Sequence, residues 1–183
     1  MIRFAFVLSI IATSWIFEAS SRADSAGLYL RGHGGYGGGS VGELEPGGDE
    51  PSLGPVLGGE FGVNLLMFNA YVNHDRFLSR GSVTRGVFGL TGDLELAGFR
   101  LTGRVGAGLI LDRDSVFGGA EDHNGVVARA GIAFDRHLSA GLWLGLAVDA
   151  EYFALRQLGE VESTVHSGAD IFASLRLSFE LGI

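Results

Sequence analysis

From Leu28 onward, apolar and polar residues alternate one by one instead of recurring every third or fourth position, which predicts extended strands with unlike faces. The last segment is the clearest. Ile171, Ala173, Leu175, Leu177, Phe179, Leu181 and Ile183 share one face, and Asp170, Phe172, Ser174, Arg176, Ser178 and Glu180 share the other. In a segment near 138–153, Leu142, Leu144, Leu146, Val148 and Tyr152 oppose Trp143, Gly145, Asp149 and Glu151. Val126, Ala128, Ala130, Ile132 and Phe134 oppose Val127, Arg129, Gly131 and Ala133. Between 99 and 111, Leu101, Val105, Ala107, Leu109 and Leu111 oppose Arg100, Thr102 and Arg104. Four weaker segments precede these, near 28–37, 56–65, 69–77 and 83–96; in the second, Leu57, Phe61, Val63 and Leu65 oppose Glu60 and Asn64. An even total of eight strands lets an antiparallel meander close on itself without a free edge.

The connectors alternate too. Long ones fall near 38–54, 78–82, 112–123 and 154–166, and tight turns near Leu66-Met67, Ala97-Gly98 and Asp135-Arg136-His137. Long loops therefore gather at one end of the molecule and short turns at the other, the asymmetry of transmembrane barrels.

Alternation alone does not say which face is inside, and charge decides it. Arg100, Arg104, Arg129, Asp149, Glu151, Asp170, Arg176 and Glu180 all fall on the polar face of the last four strands. Across those segments the apolar face carries none. All 13 basic residues are Arg, whereas a soluble barrel scatters both signs, usually with Lys, over its exterior. A mixture of Gly, Ala, Ser and Thr with Arg and carboxylates suits a narrow lumen filled by side chains. The span from Ile171 to Leu181, at about 3.3 Å per residue and a tilt near 40°, covers roughly 25 Å of bilayer normal. The fold expected is an all-β, eight-stranded antiparallel up-and-down transmembrane β-barrel.

Composition narrows the compartment. The 183 residues contain no Cys, which removes disulfide frameworks and Cys-ligated metal sites, and the net charge of −8 argues against nucleic-acid partners. Met1-Ile2-Arg3, the apolar run Phe4 to Phe17 and Ser21-Arg22-Ala23 read as a secretory signal peptide over 1–23, leaving 24–183 as the barrel domain.

Signal peptide, amphipathic strands, loop asymmetry and the closing run Leu175-Arg176-Leu177-Ser178-Phe179-Glu180-Leu181 together resemble the small eight-stranded outer-membrane barrels of Gram-negative bacteria, of OmpA-like, OmpX-like and OmpW-like kind. The resemblance implies localisation in the bacterial outer membrane after export through the periplasm. Its implied partners are outer-membrane lipid, lipopolysaccharide and the barrel-insertion machinery, and the expected state is a monomer. That family usually ends its final strand on an aromatic residue; here Ile183 ends it and Phe179 stands four residues earlier. The further peptidoglycan-binding domain of OmpA-like proteins is not expected.

The inward charges are the principal candidate site. With Ala97-Gly98 as a two-residue turn, Glu95 lies opposite Arg100. Counting up from the turn end brings Glu60 level with Arg104, Arg129 and Arg176, which predicts a lumen ion-pair network of Glu60, Glu95, Arg100, Arg104, Arg129, Asp149, Glu151, Asp170, Arg176 and Glu180. Such a network would plug the lumen, or act as a gate like the Glu–Arg pair that the resemblance suggests. Other chemistries are weaker. Asp149 and Glu151 could be a carboxylate pair, and His74-Asp75 and His166-Ser167 invite a lipid A-modifying hydrolase, but no nucleophile, base and orienter assemble. Gly32-His33-Gly34-Gly35-Tyr36-Gly37 lacks the helix of a phosphate loop and reads as strand glycines that let Tyr36 pack on backbone. Glu121-Asp122-His123-Asn124 reads as a solvated loop, and the acidic stretch with Glu43, Glu45, Asp49 and Glu50 as a rim for divalent cations bridging to lipopolysaccharide phosphates. Phe68, Phe77, Phe134, Tyr152 and Phe179 are candidates for interfacial girdles. No cofactor, metal or catalytic residue is expected. The reading is a non-enzymatic barrel with a structural or surface-interaction role; the alternatives are a narrow OmpW-like channel or binder of small apolar ligands, a lipid A-modifying enzyme and a soluble periplasmic barrel.

Overall fold

The computed structural model describes residues 26–42, 54–78, 81–113, 123–157 and 165–182. The expected signal peptide, the acidic stretch 43–50, Glu121 and Asp122 lie outside the described residues. Eight strands follow in chain order: β1 (Ala26–Gly42), β2 (Gly54–Leu65), β3 (Phe68–Phe77), β4 (Gly81–Leu96), β5 (Phe99–Arg113), β6 (His123–Ser139), β7 (Leu142–Gln157) and β8 (His166–Gly182). Each pairs antiparallel with the next, and β1 with β8, so the sheet closes in plain sequence order and every strand edge is used.

Following ladder partners from Leu30 through Phe61, Val72, Gly86, Leu109, Val126, Ala154 and Ser167 returns to β1 at Gly42, not at Leu30. That stagger is the shear of the barrel. It tilts the strands steeply and sets which inward side chains meet across the lumen.

Two tight turns stand where the sequence predicts them. Ala97 and Gly98 both have positive φ (52° and 82°), as a type I′ hairpin requires, and Leu66 has φ 58° at the first position of the β2–β3 turn. The third is displaced. Asp135-Arg136-His137 is strand, and the chain reverses at Ala140 and Gly141 (φ 72°), after a register shift between His137 and Ser139. The polar trio looked like a turn because Asp135 is charged; its side chain instead points into the lumen and is fully buried. The longer strands also bring Arg136 and Arg156 onto the outward face, which the shorter sequence-based segments had left uncharged.

The exterior is apolar over its middle. Leu109 is 69% exposed, Phe88 60% and Ile171 60%. Towards the turn end, Phe68 stacks on Phe88 at 6.0 Å and Phe99 on Phe134 at 5.3 Å. Tyr36 and Tyr152 face outward nearer the loops. Of the girdle candidates, Phe68, Phe134, Tyr152 and Phe179 are exposed on this surface, but Phe77 is buried inside against Phe172. The alternation of β3 puts it with Asn69, Asn73 and Asp75, a face whose polar content the sequence did not mark as lumen.

Candidate functional site

The lumen is built from long charged side chains given room by glycines. Across the ladder from Asp149 stands Gly131, from Asp135 Gly145, from Tyr29 Gly62 and from Phe172 Gly37. A Cβ on any of these glycines would run into its facing side chain. In so narrow a barrel each inward carboxylate or ring needs a neighbour without a side chain.

Three layers of ion pairs result. In the middle layer Arg31 donates from Nη1 to Glu60 Oε1 at 2.6 Å, and Arg104 Nη1 reaches both Glu60 oxygens at 2.8 Å. Arg104 continues to Asp149 at 2.9 Å, and Arg129 approaches the other Asp149 oxygen at 3.2 Å. Nearer the loops, Arg85 donates to Asp75 at 2.7 Å, to Glu151 at 2.5 Å and to Asn73 at 3.0 Å, while His33 Nε2 and Asp75 Oδ1 are 2.6 Å apart. Nearer the turns, Arg176 forks onto both oxygens of Asp135, and Arg100 donates to Glu180 at 2.6 Å with Asp135 at 3.6 Å. Asn73 joins two layers by accepting from Arg85 and, at 3.5 Å, from Arg129. Ser178 accepts from Arg31 at 2.9 Å, tying the middle layer to β8.

Guanidinium planes also lie over rings: Arg100 over Trp143 at 4.2 Å, Arg31 over Tyr29 at 4.9 Å, Arg104 over Tyr71 at 5.1 Å and Arg85 over Phe172 at 5.4 Å. Aromatic faces absorb positive charge where water is excluded.

Above the ion pairs, towards the loops, the lumen turns apolar. Val56, Phe77, Val83, Ile110, Val127, Phe153, Leu155 and Phe172 are all buried and belong to one cluster. This cap was not foreseen from the sequence, which gave the plug to ion pairs alone. Below it, the cavity among Arg31, Glu60, Arg104 and Asp149 measures about 10 Å³, and that among Tyr29, Arg100, Thr102 and Arg104 about 20 Å³, room for a single water at most. At the turn end the lumen opens into a vestibule of about 490 Å³ lined by Asn64, Thr91, Asp93, His137, Trp143 and Glu180. Among the described residues the lumen is thus filled through its middle and loop-ward half and flared towards the turns.

The residues expected to meet do so in part. Glu60 holds Arg104, but Arg129 is bound to Asp149 and Arg176 to Asp135. Glu95 stands across the ladder from Arg100, as expected, yet is exposed at the turn end. Asp149 and Glu151 do not act as a pair, since each has its own arginines. Asp170 is buried across from Glu151, and Glu180 meets Arg100. Arg31, Asp75, Arg85 and Asp135 were missed. The hydrolase reading fails for His74-Asp75: the barrel wall separates them, with Asp75 in the lumen and His74 outside, hydrogen-bonded to Thr84 at 2.9 Å. Tyr36 is exposed on the outward face, and its neighbour Gly37, on the lumen face, accommodates Phe172. In the 121–124 stretch, His123 is buried and Asn124 faces outward. Among the described residues no group of three or more His, Asp or Glu is placed to hold a metal ion.

No family model matches the chain, and no curated protein matches it. Solved structures do. The chain is similar to Neisserial surface protein A (NspA) with a TM-score of 0.59 at 11% identity, over 83% of this chain and 96% of that one. The N-terminal β-barrel domain of Pseudomonas aeruginosa OprF gives 0.49 at 12% identity over 85% and 97%, and the outer membrane protein OprG of the same organism 0.44 at 12% over 87% and 98%. The likeness to NspA is one of fold: a small closed antiparallel barrel over nearly its whole length.

Proposed function

We propose that this chain is a bacterial outer-membrane β-barrel of non-catalytic role, a sealed transmembrane scaffold that holds its loops at the cell surface. One observation carries the reading: its polarity is inverted relative to a water-soluble fold, with large apolar side chains exposed all round the wall and interlocked arginines and carboxylates buried within. In water that arrangement would expose a continuous apolar band and bury charge, losing on both counts; in a bilayer each side meets the environment it suits.

The sealed lumen favours a scaffold over a conduit. An apolar cap over ion pairs leaves no continuous path for water among the described residues, and opening one would require separating charges already matched. The complete set of paired strand edges supports a monomer. Alternation through β8, with Phe179 outward, supports recognition by the barrel-insertion machinery. Planar-bilayer recording of the refolded chain tests the proposal, with heat-modifiable gel mobility reporting insertion. The expected result is a band that migrates differently unboiled and a membrane without sustained conductance. Stable open-channel steps would overturn the sealed scaffold, and unchanged mobility would overturn the membrane barrel.

A further inference from the structure

The turn-end vestibule, at about 490 Å³, has the volume of a small-molecule site. Beneath it lies the recess of about 20 Å³ bordered by Arg100 and Thr102. The two adjoin, because Asn64, Thr91, Asp93 and Glu180 line both. A group the size of a hydroxyl fits the recess while the molecule that bears it fills the vestibule.

The recess is bordered by polar atoms that the protein leaves unmatched. Thr102, across the ladder from Asp93, is 7% exposed, and its Oγ1 has no hydrogen-bond partner. Arg100 is 2% exposed. Its Nη1 donates to Glu180, but Nε has no acceptor, and Nη2 stands 3.6 Å from Asp135, beyond hydrogen-bond reach. Buried polar atoms of this kind are costly unless something else meets them.

The chemistry of the walls selects what that is. Arg100 can only donate, and ionised Asp93 and Glu180 can only accept. Asn64 accepts from Asn69 at 2.7 Å, which leaves its amide hydrogens for the cavity. A phosphate or carboxylate would be repelled by the two acids, and an ammonium would be repelled by Arg100 and leave its donors unmet. A hydroxyl both donates and accepts and carries no charge, so a group of hydroxyls suits the mixture. His137 and Trp143, with ring centroids 4.8 Å apart, add an aromatic wall for an apolar C–H face. A sugar ring carries hydroxyls and such a face together.

We propose that the turn-end vestibule binds an uncharged saccharide, one hydroxyl entering the recess to meet Arg100 and Thr102 while others donate to Glu180. The Glu180 side chain is 23% exposed, and Arg100 engages its Oε2, which leaves Oε1 to accept. The inference requires only the barrel fold, and it gives the scaffold a ligand on the face opposite its loops.

The test titrates the full chain, refolded in micelles of a detergent without a sugar headgroup, with maltose and separately with diacetylchitobiose in a calorimeter. At least one disaccharide should give a saturable heat. Thr102→Val should weaken that binding by about fivefold without lowering the thermal midpoint, since the hydroxyl removed has no partner in the protein to lose. His137→Ala should also weaken it, and Gly86→Ala, on the outward face, should bind as wild type. Inorganic phosphate and putrescine at matched concentration should give no saturable heat. No saturable heat with either disaccharide, wild-type affinity in Thr102→Val, or equal binding of phosphate or putrescine would each overturn the site. The readout is binding in micelles, so none of these outcomes bears on the membrane reading, which gel mobility and conductance test separately.

Discussion

At the scale of single residues the lumen is an exercise in satisfying buried charge. Glu60 is 2% exposed and Arg85 0%, and neither would be tolerated there without partners. Glu60 holds Arg31 and Arg104, so Glu60→Ala leaves Arg31 without its carboxylate and Arg104 with Asp149 alone, and the expected loss is about 3–5 kcal/mol of unfolding free energy. Urea unfolding in detergent micelles measures it, and a midpoint equal to wild type would remove the middle layer from the account. Arg100, Arg104, Arg129 and Arg176 were legible as inward because the late strands contrast sharply in polarity. Arg31 and Arg85 were not. Half of the lumen-face positions of β1 are glycine, and on β4 Arg85 is flanked inward by Val83 and Val87, so alternation carries little contrast. Beyond Glu60 with Arg104, partners were illegible, because pairing across the lumen depends on a stagger that accumulates over eight strands and that no single strand encodes.

Strands and turns show a second level of design, in which glycine position matters more than glycine number. Gly131 faces inward beneath the Asp149 carboxylate, whereas a Cβ on Gly86, which faces outward, meets nothing. Gly131→Ala should therefore cost about 1–3 kcal/mol through overpacking, while Gly86→Ala should fall within about 0.5 kcal/mol of wild type or slightly above it. Equal unfolding midpoints for the two variants would contradict the inward placement. Element existence was readable from period-two alternation, and so were the turns at Leu66-Met67 and Ala97-Gly98. The β6–β7 turn was misplaced for a physical reason: in a protein whose inside is polar, a run such as Asp135-Arg136-His137 does not mark the surface. Gly141, with its positive φ, was the better signal.

Taken whole, the described residues form a tube turned inside out relative to soluble folds, with an apolar cluster towards the loop end and ion pairs through its middle. The cap explains how so many charges remain matched: with water held off at one end and little free volume inside, each guanidinium keeps its carboxylate. The barrel as a class was legible because faces, loop asymmetry and strand number agree. The cap was not, because its apolar residues lie on lumen faces and read locally as breaks in the polar pattern. The account stands on lipid touching the outward face. Because the chain has no Cys, single cysteines carrying a spin label can be placed one by one along β8 from 171 to 179 in bilayer-reconstituted protein, reading collision with dissolved oxygen against a water-soluble nickel chelate. The account predicts high oxygen and low nickel access at Ile171, Ala173, Leu175, Leu177 and Phe179, and low access to both at Phe172, Ser174 and Ser178. Nickel access at Leu175 and Leu177 equal to that of a water-exposed site would contradict it.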